Sequence, residues 1–289
     1  MEEGKTKKVQ LVLSGGGARG IAHIAVIEAL EERGYEIIEV VGCSMGAVVG
    51  GLYACGDLPH YRDWLKKLNR GDIFRLIDLT LARHGFVKGE KVFNTILEMT
   101  GQHRIEDLPL PFAAVATDLH TGEEVVFRRG DLFQALRASI SIPGIFTPVL
   151  FEGKLLVDGG VINPLPLNLV KKREDAILVA VDINAPEHLK SGESDKPEKE
   201  ERSWLGLNWP WGKNDEQHPS EEQNLVNVLQ LSYDHMQNRL IWLSEQTYPP
   251  DVLIQVPRNV CGMFDFFKAE KVLAAGWEAF AKIEDQLSA

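Results

Sequence analysis

Two glycine-rich turns, each between an apolar strand pattern and a helix pattern, constrain the fold of this sequence most. The first follows the apolar run Val9–Leu13 and precedes a helical pattern over Ile21–Arg33. The second, Gly42–Gly46, follows the β-branched run Ile37–Val41 and precedes a small-residue helix, Ala47–Cys55. Two consecutive strand–turn–helix units predict a parallel sheet with right-handed crossovers.

The rest of the chain extends this pattern. Residues 57–108 have mainly helical apolar spacing. Further strands are predicted at Phe112–Thr117, Glu124–Phe127, Lys154–Val157, Ala176–Val181 and Val252–Val256, and further helices at Leu132–Ser139, Leu225–Trp242 and from Asp265 onward. We therefore expect one α/β domain over residues 1–289, with a polar insertion at about 186–223.

Composition and charge exclude several classes of protein. The formal net charge of -11 and the lack of a basic stripe argue against a nucleic-acid partner. Three cysteines, Cys43, Cys55 and Cys261, cannot all pair within one chain and have no metal-binding spacing, so we interpret them as reduced, buried thiols. With neither a secretory signal nor a membrane-spanning run, a cytoplasmic location is expected by default.

Gly42-Cys43-Ser44-Met45-Gly46 matches the nucleophile elbow, a strained strand-to-helix turn that exposes a serine hydroxyl. The flanking glycines are expected where backbone segments approach too closely for a Cβ. Glycine and serine also occur in ordinary turns between strands and helices, so the pentapeptide alone leaves a structural role open. The apolar strand before it and the helix pattern after it favour catalysis.

The first turn, Gly15-Gly16-Gly17-Ala18-Arg19-Gly20, is suited to binding an anion, because unhindered backbone N–H groups can point at one spot. The anion could be a nucleotide phosphate or the oxyanion of an acyl intermediate. Gly15, Gly17 and Gly20 match the dinucleotide fingerprint literally. The acidic residue expected after a second strand is replaced by the Gly42–Gly46 elbow, which makes nucleotide binding the weaker alternative.

Asp158-Gly159-Gly160 places a carboxylate at the end of an apolar strand. An Asp-Gly turn is commonly structural, but a carboxylate that is partly desolvated can also serve as the base for a serine hydroxyl. None of the eight histidines lies in a recognisable triad setting, and His23, on the helix after the first turn, is the hardest to dismiss.

Taken in this order, GGGARG, GCSMG and DGG resemble the motifs of the patatin-like phospholipases, and the likeness covers roughly residues 8–185. ATDL at Ala116–Leu119 and ASISIPGIFTPV at Ala138–Val149 also match that family. The resemblance implies a three-layer α/β/α fold with a mostly parallel central sheet. It further implies a lipid or acyl-ester substrate, Ser44 as nucleophile, Asp158 as base, and no metal or other cofactor. The amides of Gly15, Gly16 and Gly17 would form the oxyanion hole.

Some positions keep two interpretations. Arg19 could orient the first turn or meet a phosphate head group, and Asn163 and Pro164 are expected to cap and start a helix after Asp158. An acyltransferase resembling the malonyl-CoA acyl carrier protein transacylases is the alternative enzyme, although those enzymes use a histidine. A non-catalytic protein that keeps the fold is the third possibility.

The Trp-rich stretch WLGLNWPWG lies within the predicted insertion. Trp204, Trp209 and Trp211 would either form a peripheral membrane contact or lid, or cover the core or a dimer surface. The sequence leaves the assembly state open.

Overall fold

The computed structural model of the protein describes residues 7–76, 90–186 and 225–288. The strands in these ranges are, in chain order, β1 (Lys8–Leu13), β2 (Glu36–Cys43), β3 (Phe112–Asp118), β4 (Glu124–Phe127), β5 (Val149–Phe151), β6 (Lys154–Asp158), β7 (Ala176–Ala185) and β8 (Val252–Pro257). The α-helices are α1 (Ile21–Glu32), α2 (Met45–Ala54), α3 (Leu58–Lys67), α4 (Arg70–Leu76), α5 (Glu90–Thr100), α6 (Leu132–Ser139), α7 (Leu225–Thr247), α8 (Ala269–Ala281) and α9 (Glu284–Ser288).

The strands form one mixed sheet in the order β5-β6-β3-β2-β1-β7-β8, with β4 paired to β3. The central pairs β3–β2, β2–β1, β1–β7 and β7–β8 are parallel, which confirms the mostly parallel sheet. The pairs that join β3 to β4, β3 to β6 and β5 to β6 are antiparallel. Asp158, at the end of β6, is thereby paired with Ala116 of β3.

Helices cover both faces of the sheet. Successive side chains of a strand point to opposite faces, so β1 contributes to an apolar cluster on each side. Leu11 and Leu13 of β1 belong to the larger apolar cluster, together with residues of α1, α2 and α8. Val12, between them, packs in a second cluster with Ile241 of α7. Burial on both faces explains why the second half of β1, Leu11–Leu13, is continuously apolar instead of alternating.

The sequence patterns miss one short strand, and one expected helix is wrong. The three-residue strand β5 had not been predicted, because so short a run carries no periodicity. The α-helix expected to begin at Asn163–Pro164 does not form. Single 3-10 turns, Gly159–Val161 and Leu167–Leu169, occupy this region instead. The side-chain amide of Asn163 donates to Glu124 and Asn168, so it caps no helix.

The predicted insertion at 186–223 lies almost wholly outside the described residues, as do Trp204, Trp209 and Trp211. Their role in membrane contact therefore stays a prediction. Among the described residues, no helix combines the length and the apolar character needed to cross a bilayer.

Candidate active site

Ser44 lies at the sharp junction between β2 and α2, with backbone angles φ 53° and ψ -122°. In the described ranges, the only other non-glycine residue with positive φ is Glu152. Such a conformation is strained for an L-residue and persists only where the surrounding structure holds it. A Cβ on Gly42 would collide with the Gly46 carbonyl, and a Cβ on Gly46 with the Leu13 carbonyl. The elbow therefore needs both flanking glycines.

The Ser44 hydroxyl donates a hydrogen bond to Asp158, with 2.6 Å between Oγ and Oδ2. Both residues are buried, with 5% of Ser44 and 1% of Asp158 exposed. The two residues are 114 positions apart in the chain, and they meet because β2 and β6 both flank β3. The geometry allows direct proton transfer from the hydroxyl to the carboxylate.

The second carboxylate oxygen of Asp158 is also held in place. Oδ1 accepts the backbone N–H of Gly160 at 2.7 Å, and the Cys43 thiol lies 3.9 Å from the same oxygen. Burial raises the pKa of Asp158 to about 6, and the hydrogen bonds from Ser44, Gly160 and Cys43 partly offset that rise. Asp158 is thus a stronger base than an exposed aspartate but is still ionised at neutral pH.

Two hydroxyl groups support this pair from neighbouring elements. The Ser139 hydroxyl, at the end of α6, accepts the backbone N–H of Ser44 at 2.9 Å. Thr117, at the end of β3, donates to the Asp158 carbonyl at 3.1 Å. No local pattern predicts a role for either residue, although both belong to stretches that match the patatin-like family, ATDL and ASISIPGIFTPV.

The first glycine turn packs directly against the elbow. A Cβ built on Gly15 would lie 3.1 Å from the Cβ of Ser44. The Gly15 N–H donates to the Pro164 carbonyl at 3.0 Å, and the Ala18 N–H donates to the Met263 carbonyl at 2.8 Å. The Gly15 N–H is therefore already engaged within the protein, and the expected oxyanion hole keeps only the amides of Gly16 and Gly17 as candidate donors.

Gly16 and Gly17 differ from Gly15 in this respect. Their N–H groups have no acceptor in the part of the chain that the structure describes. A Cβ on Gly17 would lie 2.5 Å from the Met263 carbonyl, and a Cβ on Gly16 would lie 2.7 Å from the Ile183 side chain. Side chains are thereby excluded where the backbone passes Ile183 and Met263. The amides of Gly16 and Gly17 stay available as donors in the turn whose first glycine packs against Ser44.

The remaining motif glycines allow close packing around the pair. A Cβ on Gly20 would collide with the Met45 side chain, and one on Gly159 would lie 2.5 Å from the Val115 carbonyl.

Arg19 and His23 both brace the glycine turn. Arg19 is 6% exposed, and its Nε donates to the Gly16 carbonyl at 3.0 Å. This geometry favours the orienting role over contact with a phosphate head group. The His23 ring is fully buried, with Nε2 2.9 Å from the Ser14 carbonyl oxygen. Burial lowers the pKa of His23 to about 4, which leaves a neutral ring that binds backbone.

Among the described residues, one group has the composition of a metal site. Ligand atoms of Cys55, Asp57 and His103 all lie within 4.8 Å of one another. Cys55 follows the C-terminus of α2 and Ser44 precedes its N-terminus, so a helix of about 15 Å separates the group from the dyad.

Cys55 is only partly buried, unlike the other two free thiols, Cys43 and Cys261. This corrects the expectation of three buried thiols.

Helix α7 also reaches the active site, and the sequence had given no sign of it. Gln237 is buried, and its Nε2 donates to the Gly160 carbonyl at 3.2 Å and to the Tyr233 hydroxyl at 3.0 Å. The link joins positions 77 residues apart, which no local pattern can reveal.

Comparison with known proteins gives a consistent assignment. Residues 11–171 match the family described as "Patatin-like phospholipase". An uncharacterised NTE family protein of Mycobacterium bovis is 34% identical over 93% of this chain and 89% of its own length. The lysophospholipase NTE1 of Kluyveromyces lactis is 31% identical over 93% of this chain but only 18% of its own length.

Among solved structures, VipD from Legionella pneumophila is similar with a TM-score of 0.47 and 15% identity, over 97% of this chain and 67% of that one.

The matched family region contains all three motifs, from the glycine turn through the serine elbow to Asp158-Gly159-Gly160. The chain therefore belongs to the patatin-like phospholipase family, a family of lipid acyl hydrolases.

Proposed function

We propose that this protein is a serine acyl-hydrolase that cleaves fatty-acyl esters of phospholipids or lysophospholipids through a Ser44–Asp158 dyad. The observation that carries the proposal is the 2.6 Å hydrogen bond from Ser44 Oγ to Asp158 Oδ2, made by a serine on a positive-φ elbow. The name of the Kluyveromyces lactis relative, a lysophospholipase, supports the lipid class of the substrate.

The first half of the reaction forms an acyl-enzyme. Ser44 Oγ attacks the ester carbonyl carbon as its proton moves to Asp158 Oδ2. The carbonyl oxygen becomes an oxyanion, which the amides of Gly16 and Gly17, unpaired within the described residues, would stabilise. The intermediate then collapses, and the leaving alcohol takes the proton from Asp158.

The second half uses water in the same way. Asp158 accepts a proton as water attacks the acyl-enzyme carbonyl. Collapse then releases the fatty acid and returns the proton to Ser44. The raised pKa of Asp158, about 6, suits a group that must both accept and return a proton near neutral pH.

Hydrolysis by purified wild type, Ser44→Ala and Asp158→Asn tests the proposal, with lysophosphatidylcholine and a p-nitrophenyl acyl ester as substrates. Each variant should lose at least about 10³-fold in kcat, because the two groups act as a unit. Two matched controls, Ser232→Ala and Asp118→Asn, should keep wild-type rates. Ser232 is exposed on α7, and Asp118 binds the backbone N–H of His120 in a turn. Full activity in either dyad variant, at wild-type stability, would refute the proposal.

The alternative, acyl transfer, makes a different prediction in the same assay. With added thiol or alcohol acceptors, a hydrolase should still release mainly free fatty acid, whereas a transacylase should pass the acyl group to the acceptor. Mass spectrometry of the products separates the two. A predominance of acylated acceptor over free acid would favour the transacylase.

A further inference from the structure

Gly160 is held by hydrogen bonds on both sides of its backbone. Its N–H donates to Asp158 Oδ1 at 2.7 Å, and its carbonyl accepts from Gln237 Nε2 at 3.2 Å. The same close approach means that a Cβ on Gly160 would collide with Gln237 Nε2. The lack of a side chain at position 160 thus makes room for an amide from α7.

The hydrogen bond to Oδ1 controls how the Asp158 carboxylate is oriented. With Oδ1 fixed by Gly160, Oδ2 is the oxygen directed at the Ser44 hydroxyl. A carboxylate that can rotate loses this alignment, and small errors of alignment lower rates considerably. The carbonyl carbon and the nitrogen of Gly160 are joined through one Cα, so anchoring the carbonyl from α7 restrains the N–H that orients Asp158.

The Gln237 amide is itself held in place. Its second contact is the Tyr233 hydroxyl at 3.0 Å, one helical turn earlier on the same face of α7. A buried amide that satisfies two acceptors has one preferred orientation, since any other would leave a donor unpaired.

We propose that Gln237 is a positioning residue of the Ser44–Asp158 pair, acting through the backbone of Gly160, with Tyr233 fixing the orientation of its amide. Gln237 contacts neither member of the pair, so its effect is indirect. The rate measurements below depend on the proposed hydrolase function, whereas the carboxyl titration does not.

The electrostatic surroundings give the proposal a distinctive readout. Asp158 is faced by Ser44 and Cys43 from the elbow and by Tyr233 from α7. Burial, and next the charge of Asp158, raise the pKa of the Tyr233 phenol above its usual value. Two farther acidic groups add to the effects of burial and of Asp158 on the neighbouring pKa values. The charge of Glu124 helps to raise the pKa of the Cys43 thiol, and the charge of Asp234 helps to raise the pKa of the Tyr233 phenol. Burial raises the pKa of Asp158 and the Gly160 hydrogen bond lowers it, so loosening Gly160 should raise the pKa further.

The main test replaces Gln237 with methionine, which has nearly the same length but no donors. For Gln237→Met we expect kcat to fall about tenfold with KM changed less than about twofold. The acidic limb of the kcat profile should move up by about half a pH unit, because Asp158 ionises less readily without the Gly160 hydrogen bond.

Ser244→Ala is the matched control. Ser244 lies on the same helix and likewise donates to a backbone carbonyl, that of Leu165 at 2.8 Å, but not beside the dyad. Its removal should lower the melting temperature about as much as Gln237→Met and leave kcat and the pH profile unchanged. Equal losses of rate in both variants, with no shift of the acidic limb, would show a merely structural role and overturn the proposal.

Tyr233→Phe provides a milder variant in case Gln237→Met folds poorly. It should shift kcat and the acidic limb in the same direction by a smaller amount. Because burial raises its pKa, the Tyr233 phenol stays neutral across this profile. The double variant should then match Gln237→Met alone, because a neutral Tyr233 acts on the pair through the Gln237 amide. Fully additive losses in kcat would contradict this arrangement.

A titration that needs no turnover separates this proposal from the proposed function. The carboxyl carbon of Asp158, labelled with ¹³C and assigned with Asp158→Asn, can be followed by NMR. Its pKa should rise in Gln237→Met and stay unchanged in Ser244→Ala. If wild type hydrolyses no ester but this shift is present, the hydrolase function fails and the positioning role stands. If the pKa is the same in all three proteins, the positioning role is refuted.

Discussion

The hydroxyl oxygen of Ser139 accepts the backbone N–H of Ser44 at 2.9 Å. Ser44, the proposed nucleophile, is thus fixed through its backbone by α6, in addition to the hydrogen bond of its own side chain with Asp158. Strain at Ser44 is sustained by such contacts, because a positive-φ serine would otherwise relax.

Replacing Ser139 with alanine should therefore weaken both stability and activity. The change leaves a buried N–H without an acceptor, which costs about 1–3 kcal/mol of unfolding free energy. We expect kcat to fall as well, since the elbow is free to shift. Urea denaturation and ester hydrolysis measure the two effects. Ser232→Ala removes a hydroxyl bound to a backbone carbonyl on an exposed helix face and should change neither. Wild-type stability in Ser139→Ala would argue against this support.

Gly46 tests the packing of the elbow. In Gly46→Ala the new methyl group meets the Leu13 carbonyl of the neighbouring strand, and backbone atoms cannot move aside cheaply. We expect a loss of at least about 2 kcal/mol in unfolding free energy, measured by thermal or urea denaturation.

Gly122→Ala is the control, because Gly122 has φ +71° but no atom within 4 Å of an added Cβ. It should lose only the cost of left-handed backbone, about 1 kcal/mol. A Gly46→Ala protein no less stable than Gly122→Ala would show that the close approach is not needed.

The protonation state of Asp158 predicts the pH dependence of the rate. With its pKa raised to about 6 by burial, Asp158 is protonated below that pH and cannot accept the Ser44 proton. The value of kcat/KM should therefore fall as pH drops through about 6 and level off above about 7. The neutral His23, with a pKa near 4, adds no step in this range. A profile flat from pH 5 to 8 would contradict Asp158 as the base.

The same pKa makes a prediction about stability. Asp158 ionises near pH 3.8 when unfolded and near 6 when folded. The folded state therefore binds more protons between these values, and stability is lost as pH rises through this window. A shift of about 2 units corresponds to about 3 kcal/mol above pH 6. Asp158→Asn carries no such penalty, so its stability relative to wild type should rise from pH 4 to pH 7.

Denaturation of both proteins at pH 4 and pH 7 measures this difference. Asp182, with a pKa raised to about 6 by burial, and Glu245, raised to about 7, titrate in overlapping ranges. Both are present in wild type and variant, so their contributions cancel in the comparison. A variant whose relative stability does not change with pH would show that Asp158 is not desolvated in the folded protein.

Much of this architecture follows from local sequence. The sequence around the two glycine turns predicts β1, α1, β2 and α2. The prediction succeeds there because the spacing of the apolar residues and the positions of the glycines indicate the same strands and helices. The pairing of Ser44 with Asp158 was available only through family resemblance, since it depends on two strands that flank a third.

What could not be predicted depends on contacts that no local pattern encodes. The use of the Gly15 N–H by Pro164 and the approach of Gln237 to Gly160 both join distant segments. The missing helix at Asn163 is another such case, because a tertiary partner, Glu124, takes up the side chain that would have capped it.

The most direct test of the account is where a fluorophosphonate attaches. These reagents phosphonylate a serine that is activated by an adjacent base. Oxyanion donors speed the reaction because they stabilise the negative charge that develops on the phosphonyl oxygen. Peptide mapping by mass spectrometry should find one adduct, on Ser44, in wild type, and strongly reduced labelling in Asp158→Asn. An adduct on a different serine, or equal labelling of Ser44 with and without the Asp158 carboxylate, would contradict the dyad.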